Sequence, residues 1–251
     1  MRYISFLLPI LLLSGISLAE DVSQKAPPEP ADMKPLFNGK DLTGWEGDTR
    51  LWSINDGVVK GETTKENPAK SNTFLIWRGG TVGDFELRCT LRIDHGNSGI
   101  QYRSKQVEGK NAGNKWVVGG YQAEVENTPG KAGFLYHERG PGASRGYADK
   151  GNYLCRVGDM TTIGEDGRAK STGKLGDNAE LGQLYKKSDW NDYVIIAKGN
   201  HLQHFINGTQ TVDVIDEQTS KAAKSGILAL QLHAGPPMMV QFKDVRIKQL
   251  R

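Results

Sequence analysis

The chain predicts an all-β fold of two sheets packed face to face. Three observations carry this: many short segments with strict two-residue alternation, 31 glycines to turn between them, and almost no stretch with helical period. The domain opens at Pro35-Leu36-Phe37-Asn38-Gly39-Lys40. Residues 51–54 run through Asn55-Asp56-Gly57 into residues 58–61. Residues 85–93 form the cleanest strand, with five apolar residues on one side and Glu86, Arg88, Thr90 and Arg92 on the other. Further short strands are expected at 99–103, 121–126 and 134–137. Residues 193–197 pass Gly199-Asn200 into 202–206, and Asn207-Gly208 turns into 211–214. Asn-Gly between two such runs signals a hairpin, because both residues accept positive φ. Residues 216–224 predict one or two helical turns, stopped by Gly226. Residues 228–233 and 240–247 close the series. The long irregular stretch from Glu138 to about Ser188 is expected to be functional, since loops of that length in compact domains usually are.

Residues 1–19 read as a signal peptide. Met1-Arg2 is basic, residues 3–18 are almost wholly apolar, and Ser17-Leu18-Ala19 offers small residues for cleavage after Ala19. The run is short for a membrane span and is followed by Glu20-Asp21. Residues 20–33, rich in Pro and Ala, read as a flexible leader, and residues 34–251 as one domain. Export to the periplasm or the extracellular space follows, with no membrane attachment after cleavage. With 32 basic against 29 acidic side chains, no nucleic acid or anionic membrane partner is expected. The two cysteines are too few for a cysteine metal site. Cys89 lies on an apolar register and reads as a buried small hydrophobe. Export would also permit a disulfide to Cys155.

Four strands share a division of labour. Each buries one register and offers the other, because successive strand side chains point to opposite faces. The polar registers carry Gln101 and Arg103; Gln122, Glu124 and Glu126; His137; and Gln231 with His233. Glu138 and Arg139 start the long stretch and would rim a cleft. Carboxylates, an Arg, amides and His on one sheet face suit a carbohydrate partner. The plainer reading is an Arg–Glu pair holding strand register, with satisfied sheet histidines. Tyr102, Tyr121 and Tyr136 lie on apolar registers and read as core, as do Trp45, Trp52, Trp190 and the register of His204. Trp77 and Trp116 flank Gly-rich turns and are candidates to stack on a sugar ring.

The chain resembles a known family. Leu36-Phe37-Asn38-Gly39-Lys40-Asp41-Leu42-Thr43-Gly44-Trp45 opens it. Asn97-Ser98-Gly99-Ile100-Gln101-Tyr102-Arg103, Gly120-Tyr121-Gln122-Ala123-Glu124, Trp190-Asn191-Asp192-Tyr193 and Asn207-Gly208 follow in order. Residues 226–233 and 240–247 close it. Over about residues 34–250 the sequence is similar to the 3-keto-disaccharide hydrolase domain. That resemblance implies the jelly-roll sandwich of the concanavalin-A-like lectin/glucanase type. It also implies a glycoside whose C3 hydroxyl has become a ketone. The ketone acidifies the C2 proton, a base removes it, the C1 substituent leaves, and water addition completes a net hydrolysis. Such chemistry needs a base, a stabiliser for the enolate oxygen and a proton for the leaving group.

On this reading Glu124 is the acid/base, Arg103 lowers its pKa or holds the enolate, and His233 gives a proton. Gln101, Gln122, Glu126, His137, Gln231, Glu138 and Arg139 bind substrate. Arg103, Glu124 and His233 should then converge on one solvent-open face. Many relatives read Gly-Tyr-Glu-x-Gln where this chain has Gly120-Tyr121-Gln122-Ala123-Glu124, which moves the carboxylate about 7 Å along the strand. No cofactor is expected; a divalent metal on His233 or His137 with Glu124 or Glu126 stays open. Two other readings stand beside the hydrolase/lyase: a non-catalytic carbohydrate-binding module on the same sandwich, and a retaining glycosidase. The latter needs carboxyls roughly 5–5.5 Å apart, whereas Glu124 and Glu126 are spaced about 7 Å along their strand.

Overall fold

The computed structural model describes residues 24–109, 113–140 and 152–250. The expected signal peptide, its cleavage point and the first leader residues lie outside them. The strands are β1 (Lys34–Pro35), β2 (Trp45–Glu46), β3 (Trp52–Asn55), β4 (Val58–Thr63), β5 (Thr73–Trp77), β6 (Phe85–Ile93), β7 (Asn97–Gln106), β8 (Val118–Glu126) and β9 (Ala132–Glu138). They continue as β10 (Tyr153–Cys155), β11 (Asp159–Ile163), β12 (Ala169–Lys174), β13 (Asn191–Lys198), β14 (His201–Ile206), β15 (Thr209–Asp216), β16 (Ile227–Leu232) and β17 (Met238–Gln249). A seven-stranded sheet runs β10-β9-β8-β7-β16-β5-β2. A ten-stranded sheet runs β12-β11-β15-β14-β13-β6-β17-β4-β3, with β1 beside β17. The result is the two-sheet jelly-roll sandwich expected.

Alternation fixes which faces meet. In β6, Phe85, Leu87, Cys89, Leu91 and Ile93 point inward and are buried. They face Ile100, Ala123, Leu135, Leu228, Leu230 and Leu232 of the other sheet, which belong to the same core. Each fully buried Leu, Ile or Phe contributes on the order of 1.5–3 kcal/mol relative to exposure. Cys89 and Cys155 are free thiols in this core, so the disulfide that export would permit is not formed. Burial pushes both thiols up to about 12, which leaves them unreactive.

Several expectations change. The leader is not free over its described part: residues 24–33 run along the ten-stranded sheet. Arg88 donates to the Pro27 carbonyl at 2.5 Å, Glu29 takes a two-pronged hydrogen bond from Arg246, and Asp32 pairs with Lys248 at 2.8 Å. Of residues 216–224, Asp216 ends β15 and the rest form turns and irregular chain rather than a helix; the one α-helix among the described residues is α1 (Asn178–Gly182). The described part of the long stretch after Glu138 carries β10, β11 and β12. Trp190 is half-buried just before β13 rather than in the core, with Arg92 at 4.8 Å and Lys243 at 4.4 Å from its ring.

A bulge in β7 decides the fate of Arg103. Pairing with β8 runs Tyr102↔Tyr121 and then Lys105↔Gly119, so Arg103 and Ser104 together face Gly120. Arg103 takes φ +48°. Gly120 lets the strands close here, since a Cβ on it would lie 2.8 Å from the Ser104 Cα. The extra residue shifts the alternation by one. Ser104 takes the place beside Gln101 and donates to its Oε1 at 2.6 Å. Arg103 stays on the inter-sheet side. Its guanidinium donates to the Gly83 carbonyl at 2.8 Å, the Gly199 carbonyl at 2.7 Å and Asp84 Oδ1 at 2.9 Å. Arg103 therefore ties the two sheets together instead of facing Glu124. Arg103→Ala should cost on the order of 1.5–3 kcal/mol, the scale of hydrogen bonds made by a charged group, read as a lower urea midpoint. An unchanged midpoint would contradict this role.

Candidate active site

The site lies on the face of the seven-stranded sheet turned away from the core. Cross-strand pairing sets Gln101 opposite Gln122 and Gly99 opposite Glu124. Gly99 is needed there, because a Cβ on it would lie 2.6 Å from the Gln122 Cγ. An unbroken chain of side-chain hydrogen bonds results. Gln101 Nε2 donates to Gln122 Oε1 at 2.5 Å, and Gln122 Nε2 donates to Glu124 Oε2 and, at 3.4 Å, to Gln231 Oε1. Gln231 Nε2 donates to Glu138 Oε2 at 3.4 Å. Asn97 Nδ2 donates to the other oxygen of Glu124, and Asn72 Nδ2 to the other oxygen of Glu138 at 3.5 Å.

This face is not solvent-open as expected. Gln101, Gln122, Gln231 and Glu124 are at most 3 % exposed. Beyond Gln106 the chain turns back over the sheet, and Val107, Trp116, Val117 and Val118 pack on Phe74, Ile76 and Ala229 as a second apolar cluster. Trp116 is thereby part of a roof, and Trp77 packs against the main core; neither presents the sugar platform expected.

The two carboxyls differ in surroundings. Burial, above all, raises Glu124 from 4.5 to about 8; Glu138 and Glu126 raise it further, while Gln122 and Asn97 oppose. Glu138 is also raised by burial, but Asn72, Arg139, His233 and Gln231 pull it back. Arg139 Nε lies 4.0 Å from Glu138 Oε1. The positive charge at this site thus gathers at Glu138, whereas Glu124 has only amides around its oxygens.

Of the expected residues, the structure brings together Glu124, Gln101, Gln122, Gln231, Glu138 and Arg139, with His233 beside Glu138. His233 Nδ1 lies 2.5 Å from the Ala234 carbonyl. Glu126 is at the margin, paired with Lys131 at 3.0 Å. Arg103 and His137 do not join. His137 lies on the Leu135 register, its ring 6.0 Å from that of Tyr121 on the core side, so the expected His–Glu metal sets are not assembled. Among the described residues no three His, Cys, Asp or Glu side chains gather as metal ligands. His204 is structural as expected: it is buried between the Tyr102 hydroxyl at 3.0 Å and the Gly133 carbonyl at 3.2 Å, and burial lowers its pKa to about 4.

Sequence reasoning missed Asn72, Asn97, Tyr136 and Tyr153. Tyr136 is on the site face because it pairs directly with Gln122, and Phe134 and Glu138 share its register in β9. The carboxylate ending that register was the available signal. Burial, then Glu138 and Glu124, raise the Tyr136 hydroxyl, which keeps it a donor. A cavity of about 480 Å³ lies elsewhere, lined by Arg103, Tyr121 and Asp216. Its Arg is saturated by carbonyls and Asp84, so concavity and acid–base chemistry do not coincide here.

A family model described as 3-keto-alpha-glucoside-1,2-lyase-like domain matches residues 32–248. The chain belongs to that family. It is a carbohydrate-active enzyme with a carbohydrate partner. No curated protein matches the sequence. Among solved structures, two candidate glycosyl hydrolases from Parabacteroides distasonis superpose with TM-scores of 0.55 and 0.53. The first is 17 % identical and covers 87 % of this chain and 99 % of its own; the second is 20 % identical, covering 87 % and 94 %. A non-specific endo-β-1,3(4)-glucanase superposes with a TM-score of 0.52 at 11 % identity, covering 92 % of this chain and 97 % of its own. At these identities they show the shared sandwich alone. No helix among the described residues is long and apolar enough to cross a membrane.

Proposed function

We propose that the enzyme cleaves 3-keto-glycosides, oxidised disaccharides in particular, by elimination and then hydration. Glu138 takes the C2 proton. The electrons of the C2–H bond pass into an enediolate whose charge grows on the C3 oxygen. As the ketone re-forms, a C1–C2 double bond appears and the C1–oxygen bond breaks. Glu124, largely protonated at neutral pH, gives its proton to the departing oxygen. Water then adds at C1 and a proton returns to C2. The observation that supports this assignment is the two-carboxyl chain through Gln122 and Gln231 with positive charge beside one end only. Paired groups whose surroundings set them apart divide into acid and base. Arg139, with His233 when protonated, favours the ionised form of Glu138 and the growing enolate charge. The N-terminal sequence supports action in the periplasm or outside the cell.

The test compares matched plain and 3-keto disaccharides, with and without deuterium at C2. Turnover should require the ketone, and deuterium should slow it or wash out into water. Equal cleavage of plain and oxidised sugars would replace this reading with a conventional glycosidase.

A further inference from the structure

Beside Tyr153, within electrostatic reach of Glu124, lies a second space that the reaction above does not use. It is a cleft of about 530 Å³ beside the edge strand β10, walled by Phe134 and Tyr153 and rimmed by Lys131, Arg156 and Lys174, with Asp159 below. Phe134 and Tyr153 stack at 4.7 Å and 14°. Tyr153 joins cleft and site: Tyr136, its cross-strand partner, is on the site face, and Tyr153 lies within electrostatic reach of Glu126, Glu124, Lys131 and Arg156. The rim carries three cations against one carboxylate. Lys131 pairs with Glu126 and Lys174 with Asp159, but these ammonium side chains are 54 % and 71 % exposed. The Lys131–Glu126 pair, open to solvent, is weak and exchanges partners readily. The outer face of Tyr153, backed by the buried Phe134, suits the apolar face of a pyranose ring, and a cationic rim suits an anion on it.

We propose that this cleft holds the departing half of the substrate and selects a pyranose bearing a carboxylate, a uronic acid. The inference rests on the proposed function for its place in the reaction, and on the cleft alone for its ligand. The residues divide the work: Tyr153 positions the ring, Phe134 holds Tyr153 in place by stacking, and Lys131 and Arg156 receive the carboxylate.

Two 3-keto-disaccharides identical except for the departing sugar, glucuronic acid in one and glucose in the other, test the place in the reaction. kcat/KM should be about tenfold higher for the glucuronic acid substrate, the scale of one charge-assisted hydrogen bond, and the ratio should shrink with salt. The double variant Lys131→Gln/Arg156→Gln should bring the ratio close to one. Calorimetry with free glucuronic acid and the full chain reads the cleft without turnover. The wild type should bind it more tightly than glucose, and the double variant should not. If turnover does not need the ketone but glucuronic acid still binds in this way, the reaction reading fails and the anionic site stands. If glucuronic acid binds no better than glucose, or the preference survives in the double variant, the anionic site is overturned whatever the turnover shows.

Discussion

Glu138→Gln should lose about 10²–10⁴ of kcat on every 3-keto-glycoside, because the amide keeps the shape but cannot accept the C2 proton. Glu124→Gln should fall by a similar factor on ordinary disaccharides, yet recover on a 3-keto-glycoside with a nitrophenolate leaving group. A nitrophenolate departs without a proton, so a missing acid matters little, whereas a missing base still matters fully. Kinetics of the two variants on the two leaving groups separate the roles. Glu124→Gln staying inactive with nitrophenolate would make Glu124 the base. Full activity in Glu138→Gln would remove Glu138 from the mechanism. The surroundings argue for the division stated: Glu138 is 9 % exposed and bordered by Arg139 and His233, while Glu124 is 3 % exposed and bordered by amides.

The protein should lose stability as pH rises from about 4.5 to 8, and Glu124→Gln should remove much of that loss. Burial raises Glu124 from 4.5 to about 8 in the folded chain. Below pH 4.5 the carboxyl holds its proton whether folded or unfolded. Above it the unfolded chain releases the proton and the folded chain keeps it, so each further step in pH favours unfolding until the folded carboxyl ionises too. A rise of this size corresponds to roughly 5 kcal/mol in total. Glu138, raised in the same direction, adds to the slope and stays in the variant. Urea unfolding at pH 5 and pH 8 measures it. Equal slopes in wild type and Glu124→Gln would mean that Glu124 is ionised throughout. The same variant should thus be impaired in turnover and steadier at alkaline pH, the exchange of stability for activity that a buried acid imposes.

What the sequence by itself determined is local. Two-residue alternation placed β6, β8 and β16 and named Gln101, Gln122, Glu124 and Gln231 as one polar face, because side-chain direction along a regular strand follows from the backbone. The motifs in order pointed to the family. Alternation fails wherever the strand is irregular, and the tertiary structure decided those places. The bulge at Arg103 and Ser104 turned a residue counted on the site face into an inter-sheet tie, and the pairing of Tyr136 with Gln122 put Tyr136 and Glu138, not His137, on that face. Neither has a period to read: the first arises from how the strands close at Gly120, the second from which register of β9 meets the polar register of β8. Burial was equally hidden. Glu124 looked like an exposed carboxylate on a sheet face. It became a proton-holding acid only because the folded sheet buries it and surrounds its oxygens with the amides of Asn97 and Gln122, which no strand period announces.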